Sequence, residues 1–277
     1  MKFPSFWARG ESGNFSCWRW SFKSVEEAQS LAIAAAQQLA DRFRTGDFLP
    51  KHSGYYPDRP FREPVLREIK NAADETSAIL SRNSYGCQVL NTARVMFVDV
   101  DFPEPKPAGL FQRIFGKSSV DAAAVTVDSV IEKAKQWAQA NPGWGWRIYR
   151  TRAGMRLLAT HDLMEPNSPA TDAVFDALGS DPLYRRLCRA QKYFRARLTP
   201  KPWRCGIRHK PPRWPWSDAK VEKMFQKWDA QYQSFSAGWA TCEYISSVGV
   251  SDVHPEIAAV LRIHDENTRA VSKLKLA

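Results

Sequence analysis

The stretch Arg94-Val95-Met96-Phe97-Val98-Asp99-Val100-Asp101 decides the fold of this chain. Its apolar run predicts a buried, central β-strand that ends in two carboxylates. Residues 125–137 follow with the pattern of an amphipathic helix, which stops at Asn141-Pro142-Gly143. Two further strands, 144–150 and 155–160, are predicted to pair across a short turn. This order of strand, helix and hairpin is typical of a βαββ unit, so we predict an α+β fold with a mainly antiparallel sheet and a βαββ centre packed by helices.

The parts on either side of this unit complete one predicted domain over residues 1–277. Its N-terminal αβ part is 1–91, its central βαββ part is 92–165, and its basic, helical C-terminal part is 166–277. The N-terminal pattern predicts a strand at 15–22, a helix from a capping box at 24–27 to about residue 44, a helix-like segment at 65–72, and a hairpin of strands 76–81 and 87–91. The remaining predictions are an exposed excursion at 106–119 and helices at 169–178, at 182–191, around 221–232 and from Pro255.

The composition is that of a folded globular protein, with 44% hydrophobic and 25% charged residues in 277. No apolar run reaches the roughly 18 residues of a membrane helix, and no secretory leader pattern is present at the N-terminus. We therefore expect a cytoplasmic protein that does not bind membranes.

The five Cys of the chain are far apart and form no CxxC pair, which predicts reduced thiols. Its five His show no zinc-site spacing.

Positive charge is concentrated between Pro182 and Ser217. The chain has 40 Lys and Arg against 29 Asp and Glu, and this segment holds eleven of the cations and no acid. Aromatic residues alternate with the cations, as in surfaces where guanidinium groups bind phosphates and flat rings stack on bases. We therefore predict that the protein binds nucleic acid, either DNA or RNA. The predicted contacts are Arg185, Arg186, Arg189, Lys192, Arg195, Arg197, Lys201, Trp203, Arg204 and Arg208.

The basic segment is also compatible with two different roles. It can be a solvated basic face whose aromatic side chains belong to the core, or it can bind an acidic protein partner. A membrane-surface helix is disfavoured because prolines interrupt the segment at 200, 202, 211, 212 and 215.

The two carboxylates at the end of the central strand form the candidate for chemistry. Asp99 and Asp101 are two residues apart, so they project from the same face of the strand. Carboxylate oxygens are suitable ligands for Mg²⁺ or Mn²⁺, which together with a nucleotide phosphate support phosphoryl transfer. Solvated carboxylates at the end of a strand would give the same pattern.

The segment from Arg94 to His161 resembles the core of the archaeo-eukaryotic primase-polymerase superfamily. The resemblance lies in a strand ending Asp-Val-Asp, a helix, and a hairpin that leads to Ala159-Thr160-His161. It implies metal-dependent nucleotidyl transfer, with Asp99 and Asp101 as metal ligands and a His on the phosphates of an incoming nucleotide. For a third carboxylate, Asp218 and Glu243 are the candidates.

The sequence departs from the superfamily pattern at the His. In an antiparallel βαββ sheet Asp99 and Asp101 should neighbour Arg156, whereas His161 lies five residues farther along its strand, or about 16 Å away. Either Arg156 replaces the His as phosphate ligand, or the site is inactive and Arg156 neutralises the carboxylates in an internal ion pair. The candidate catalytic residues are therefore Asp99, Asp101, Arg156 and His161.

Nearly the whole chain also resembles a bacterial protein family to which no function is assigned. The phrases that it shares are FWARG at 6–10, VLNTARVMFVDVD at 89–101, YRTRAGMRLLATH at 149–161 and FRARLTPKPWRCG at 194–206. This resemblance implies a bacterial, cytoplasmic protein and nothing about its chemistry.

The leading hypothesis from the sequence is a primase-polymerase-like protein that acts on nucleic acid and binds nucleotides. The alternative is a non-catalytic nucleic-acid-binding or regulatory protein.

Overall fold

The computed structural model describes residues 1, 3–47, 60–103 and 125–277. The predicted excursion at 106–119 lies outside these residues. The helices are α1 (Val25–Thr45), α2 (Val127–Ala140), α3 (Pro169–Leu178), α4 (Pro182–Gln191), α5 (Ala219–Ser236) and α6 (Pro255–Thr268). The strands are β1 (Phe6–Ser12), β2 (Phe15–Ser21), β3 (Val65–Lys70), β4 (Thr76–Arg82), β5 (Gln88–Thr92), β6 (Phe97–Asp101), β7 (Gly145–Thr151), β8 (Gly154–Ala159), β9 (Phe194–Arg197), β10 (Trp239–Ala240), β11 (Cys242–Gly249) and β12 (Lys275–Leu276).

The predicted βαββ unit is confirmed, and it forms most of the first four-stranded sheet. The strand order is β11-β7-β8-β6, and all three pairings are antiparallel. Helix α2 connects β6 to β7 and buries Val130 and Ala134. Its N-terminus is capped by Thr126, whose side chain accepts a hydrogen bond from the Ser129 backbone. The fold class is α+β with mainly antiparallel sheets, as predicted.

The second four-stranded sheet has the order β3-β4-β5-β9 and is also antiparallel. It contains the predicted hairpin, but it corrects two other predictions. The helix-like segment at 65–72 is in fact the strand β3, because its backbone pairs with β4 and this pairing overrides a weak local pattern. The C-terminal part is not only helical, since it supplies β9 to this sheet and β11 to the first.

The N-terminal unit is a hairpin of β1 and β2 with α1 lying across it. Helix α1 begins after Ser24, which caps it as predicted, and turns an alanine face inward. Gly10 allows the close approach of strand and helix, because a Cβ at this position would lie 2.1 Å from the backbone nitrogen of Ile33. Strand β1 was not predicted from the sequence.

The two four-stranded sheets share one hydrophobic core. Leu80 and Leu90 of the second sheet belong to the same buried cluster as Phe97 and Leu157 of the first, and Phe175 of α3 joins them. The strand β6, which bears the two carboxylates, is therefore anchored at the centre of the molecule. Within the described part of the chain, no helix combines the length and the apolar character that crossing a membrane requires.

Candidate nucleic-acid interface

The two carboxylates of β6 lie where the sequence predicts them. Phe97, Asp99 and Asp101 alternate with the buried Val98 and Val100, so Asp99 and Asp101 share one face of the strand. Asp101 is exposed at the strand end, and Asp99 is half-buried. The residue paired with Asp99 on β8 is Arg156, as the antiparallel register requires.

Arg156 is bound to Asp99 by two parallel hydrogen bonds. Its Nε donates to Oδ1 at 2.7 Å and its Nη2 donates to Oδ2 at 3.0 Å. The arginine is buried, and its Nη1 donates to the backbone carbonyl of Arg197 on β9 at 3.0 Å. Burial alone would lower the pKa of Arg156, but the Asp99 carboxylate outweighs it and raises this pKa, so the guanidinium stays charged. Arg156 thus forms an internal ion pair within the first sheet, and its hydrogen bond to β9 links this sheet to the second.

Of the two carboxylates, Asp101 is the one whose oxygens could bind a metal ion. Both oxygens of Asp99 already accept hydrogen bonds from Arg156. Partial desolvation at the strand end, followed by the neighbouring charges of Asp99 and Asp181, raises the pKa of Asp101. No group of three or more His, Cys, Asp or Glu that could hold a metal occurs among the described residues. In this arrangement the residues do not fit the predicted Mg²⁺ or Mn²⁺ site, because a dication would have to displace a buried guanidinium from Asp99.

The two candidates for a third carboxylate lie elsewhere. Asp218 caps the N-terminus of α5, where its side chain accepts hydrogen bonds from the backbone nitrogens of Lys220 and Val221. Glu243 is exposed on β11, which β7 and β8 separate from β6, a distance of about 14 Å across the sheet. Neither residue joins Asp99 and Asp101.

His161 lies at the opposite end of β8 from the carboxylates. It follows the strand, and its imidazole packs on the Trp144 ring with 4.1 Å between the ring centroids. Burial lowers its pKa, which favours the neutral imidazole. The structure therefore separates His161 from Asp99 and Asp101, and it leaves Arg156 as their neighbour.

Three arginines of the predicted nucleic-acid surface have carboxylate partners. The guanidinium of Arg185 lies 2.5 Å from Asp176, and that of Arg189 lies 2.8 Å from Asp172. Both aspartates belong to α3, which is adjacent in sequence to the basic segment. The positive charge of α4 is thus partly neutralised by its neighbouring helix.

Arg195 is the third, and it lies in the interior rather than on a surface. It is buried, its Nη2 donates to both oxygens of Glu63 at 2.8 and 2.9 Å, and its guanidinium lies over the Phe61 ring. Ser81 also donates to Glu63. The prediction of Arg195 as a nucleic-acid contact is therefore wrong. Glu63, which lies outside the basic segment, pairs with Arg195 in the interior.

The remaining predicted contacts divide into two groups. Arg186, Lys192 and Arg208 are exposed, and no ion-pair partner is found for them in the described parts of the chain. The second group lies at and around the short 3₁₀ helix Pro202–Arg204, where cations are close to exposed rings. We call this group, with one residue from the β4–β5 turn, the Trp203 surface. It consists of Tyr85, Arg197, Lys201, Trp203 and Arg204.

Two exposed rings form the centre of the Trp203 surface. Trp203 is 50% exposed and Tyr85 is 39% exposed, and their rings meet edge to face with centroids 5.2 Å apart. The Lys201 ammonium lies 5.5 Å from the centroid of the Trp203 ring. The sequence did not single out Tyr85, although its place in the predicted hairpin turn 83–86 was a signal of exposure.

The cations of the Trp203 surface lie close enough to repel one another. Burial, then Arg197 and Arg204, lowers the pKa of Lys201, while Asp101 opposes this shift. Arg197 has Nε and Nη1 atoms that are buried and lack a hydrogen-bond partner within the described structure. Clustered like charges favour an anion, which would reduce their mutual repulsion.

Hydrogen bonds at residues 199 and 200 hold the loop that carries these cations. The Tyr232 hydroxyl donates to the carbonyl of Pro200 at 2.5 Å, and the Cys87 thiol donates to the same carbonyl at 3.3 Å. The backbone nitrogen of Gln88 donates to the Thr199 hydroxyl at 2.9 Å. These bonds tie the loop to β5 and α5, so the Trp203 surface is preorganised.

Comparison of the chain with models of protein families, with curated proteins and with solved structures gave no match.

Proposed function

We propose that this protein binds single-stranded nucleic acid through the Trp203 surface and does so without catalysis. The observation that carries the proposal is the pair of exposed rings, Trp203 and Tyr85, next to Arg197, Lys201 and Arg204. Surfaces that bind single strands combine these two features, since bases stack on rings and phosphates meet cations.

The exposed rings favour a single strand over a duplex. A half-exposed tryptophan leaves a face on which an unpaired base can stack, and such stacking contributes about 1 to 3 kcal/mol per base. In a duplex the faces of the bases are already stacked on one another. Trp203 and Tyr85 contact each other edge to face, so neither ring covers the whole of the other.

The cations give the proposed surface its affinity for the phosphate backbone. Arg197 and Lys201 approach Asp101 closely enough to influence its pKa, so one carboxylate lies at the border of the surface. Arg156 offsets part of the negative charge of Asp99 there. The ion pair Asp99–Arg156 therefore favours phosphate binding at this surface, since two free carboxylates would repel phosphates.

Replacement of Trp203 tests the proposal directly. Trp203→Ala should weaken binding of a short single-stranded oligonucleotide by about 1 to 3 kcal/mol, measured by fluorescence anisotropy. Phe22→Ala is a matched control, because Phe22 is an aromatic residue of similar exposure, 54%, outside the surface. Equal losses in the two variants, or no binding by the wild type at about 50 mM salt, would contradict the proposal.

Metal-dependent nucleotidyl transfer is the second candidate, and the exposed Asp101 beside Asp99 is the observation in its favour. It requires Asp99 to exchange Arg156 for Mg²⁺ or Mn²⁺. We expect about 1 mM Mn²⁺ to leave the melting temperature unchanged, whereas a bound ion would raise it by several degrees. A rise in the wild type that is lost in Asp101→Asn would reverse the ranking of the two functions.

A further inference from the structure

A cleft of about 650 Å³ opens apart from the Trp203 surface. It lies between the hairpin of β1 and β2, residues 60–64 and residues 211–216, and none of the five residues of the Trp203 surface lines it. Asn83 and Ser84 of the β4–β5 turn do line it. Its volume falls in the range of sites for small molecules, about 300 to 1,000 Å³.

The cleft is lined by flat rings. Trp18, Trp214 and Trp216 are among its lining residues, and all three are only partly buried. The Arg62 guanidinium is stacked over the Trp18 ring at 4.1 Å from its centroid. Trp216 is held against Phe225 of α5, with 5.0 Å between the ring centroids. A flat ligand would therefore meet indole faces whose positions are set by other contacts.

The charges of the cleft select an anion. Of its four lining arginines, Arg82 is paired with Asp229 of α5. Arg62 is engaged with Trp18, which leaves Arg19 and Arg213. Glu63 is the acid in the described lining, and it is already bound to Arg195. The cleft thus has an excess of positive charge, and Arg213 is exposed with no ion-pair partner in the described chain.

We infer that the cleft binds a small anion bearing a flat aromatic ring, and that a nucleoside monophosphate is the biological form of this ligand. The base would stack on the Trp214 indole, and the phosphate would lie against Arg19 and Arg213. A base alone would leave the positive charge of the cleft without an anion, and a sugar phosphate alone would leave the indoles without a ring. The site is independent of the proposed strand-binding surface.

Calorimetric titration with three probes tests this inference. AMP combines base and phosphate, adenosine lacks the phosphate, and ribose 5-phosphate lacks the base. We expect AMP to bind one site with a dissociation constant below about 1 mM, and each of the other two to bind at least about ten-fold more weakly. No saturable binding of AMP, or equal binding of AMP and ribose 5-phosphate, would overturn the inference.

Variants then locate the site. Trp214→Ala and Arg213→Gln should each weaken AMP binding about ten-fold, whereas Trp203→Ala and Lys201→Gln should leave it unchanged. Arg213→Gln keeps the test valid if Trp214→Ala fails to fold, because Arg213 is exposed. Loss of AMP binding in Trp203→Ala, with retention in Arg213→Gln, would place the ligand on the other surface and overturn the inference. Failure of oligonucleotide binding alone would contradict the proposed function and leave the cleft site standing.

Discussion

For the single residue Arg156, the sequence predicts the position but not the role. Its position opposite Asp99 follows from the βαββ order, because the first and third strands of that unit run antiparallel. Its role does not follow, since a phosphate ligand and an internal ion pair need the same neighbours. What decides between them is burial by β9, whose Arg197 carbonyl accepts a hydrogen bond from Arg156. That strand comes from the basic segment, in which the sequence predicted no strand.

Replacement of Asp99 should destabilise the protein. Asp99→Asn leaves the buried Arg156 without a counter-charge, and loss of one partner of such a pair costs about 3 to 5 kcal/mol. Because Asp99 is half-buried, we expect the lower end of this range, measured by urea denaturation. Asp101→Asn is the control, and its effect should stay within about 0.5 kcal/mol because Asp101 is exposed. Equal stability of the two variants would show that the ion pair is not structural.

At the scale of elements, segments with strong local signals were predicted well. The helices α3 and α4 have the predicted bounds, since Ser168 and Asp181 cap helices that begin with proline. Strand β3 was wrongly predicted as helical, and β9 was missed, because both are short and owe their conformation to pairing with distant strands. Pairing between residues 89–92 and 194–197 leaves no local pattern in the sequence.

The turn between β4 and β5 depends on Gly86. Its φ is +91°, and a Cβ there would lie 2.1 Å from the Trp228 ring of α5, which is itself buried. Gly86→Ala should therefore destabilise the protein by at least about 2 kcal/mol, through both backbone strain and overlap.

Gly143→Ala is the matched control for this prediction. Gly143 has a φ of +96°, but nothing lies within 4 Å of the position that a Cβ would take, so its replacement adds only the backbone cost, about 1 kcal/mol. Thermal denaturation of both variants separates the two contributions. If Gly86→Ala costs no more than Gly143→Ala, the packing of Trp228 against the turn is loose.

At the scale of the whole molecule, the formal charge of +11 does not tell which cations face a ligand. The sequence identified the segment that holds them, and with it Lys201, Trp203 and Arg204. It could not show that Asp172, Asp176 and Glu63 neutralise three of its arginines, because these acids lie outside the segment. For the same reason it counted three paired arginines among the predicted contacts, and it gave no sign of the cleft, whose lining residues come from five segments that are distant in sequence.

Salt dependence distinguishes the smaller surface from the larger one. If Arg197, Lys201 and Arg204 are the cations that contact phosphates, the plot of log K against log salt for a single strand should have a slope of roughly −2, from about 0.7 per contact. Five contacts anywhere along the basic segment would give roughly −3.5 instead.

Paired double variants identify the cations responsible for that slope. Replacement of Lys201 and Arg204 by Gln should make it shallower by about 1.4, because two phosphate contacts and their counterion release are lost. Replacement of Arg185 and Arg189 by Gln removes the same charge from α4, where both arginines are paired with aspartates, and should leave the slope nearly unchanged. Binding is measured by anisotropy between about 50 and 300 mM salt, where counterion release dominates the affinity. Equal slopes for the two double variants would mean that the positive field of the whole segment, and not the Trp203 surface, attracts the strand.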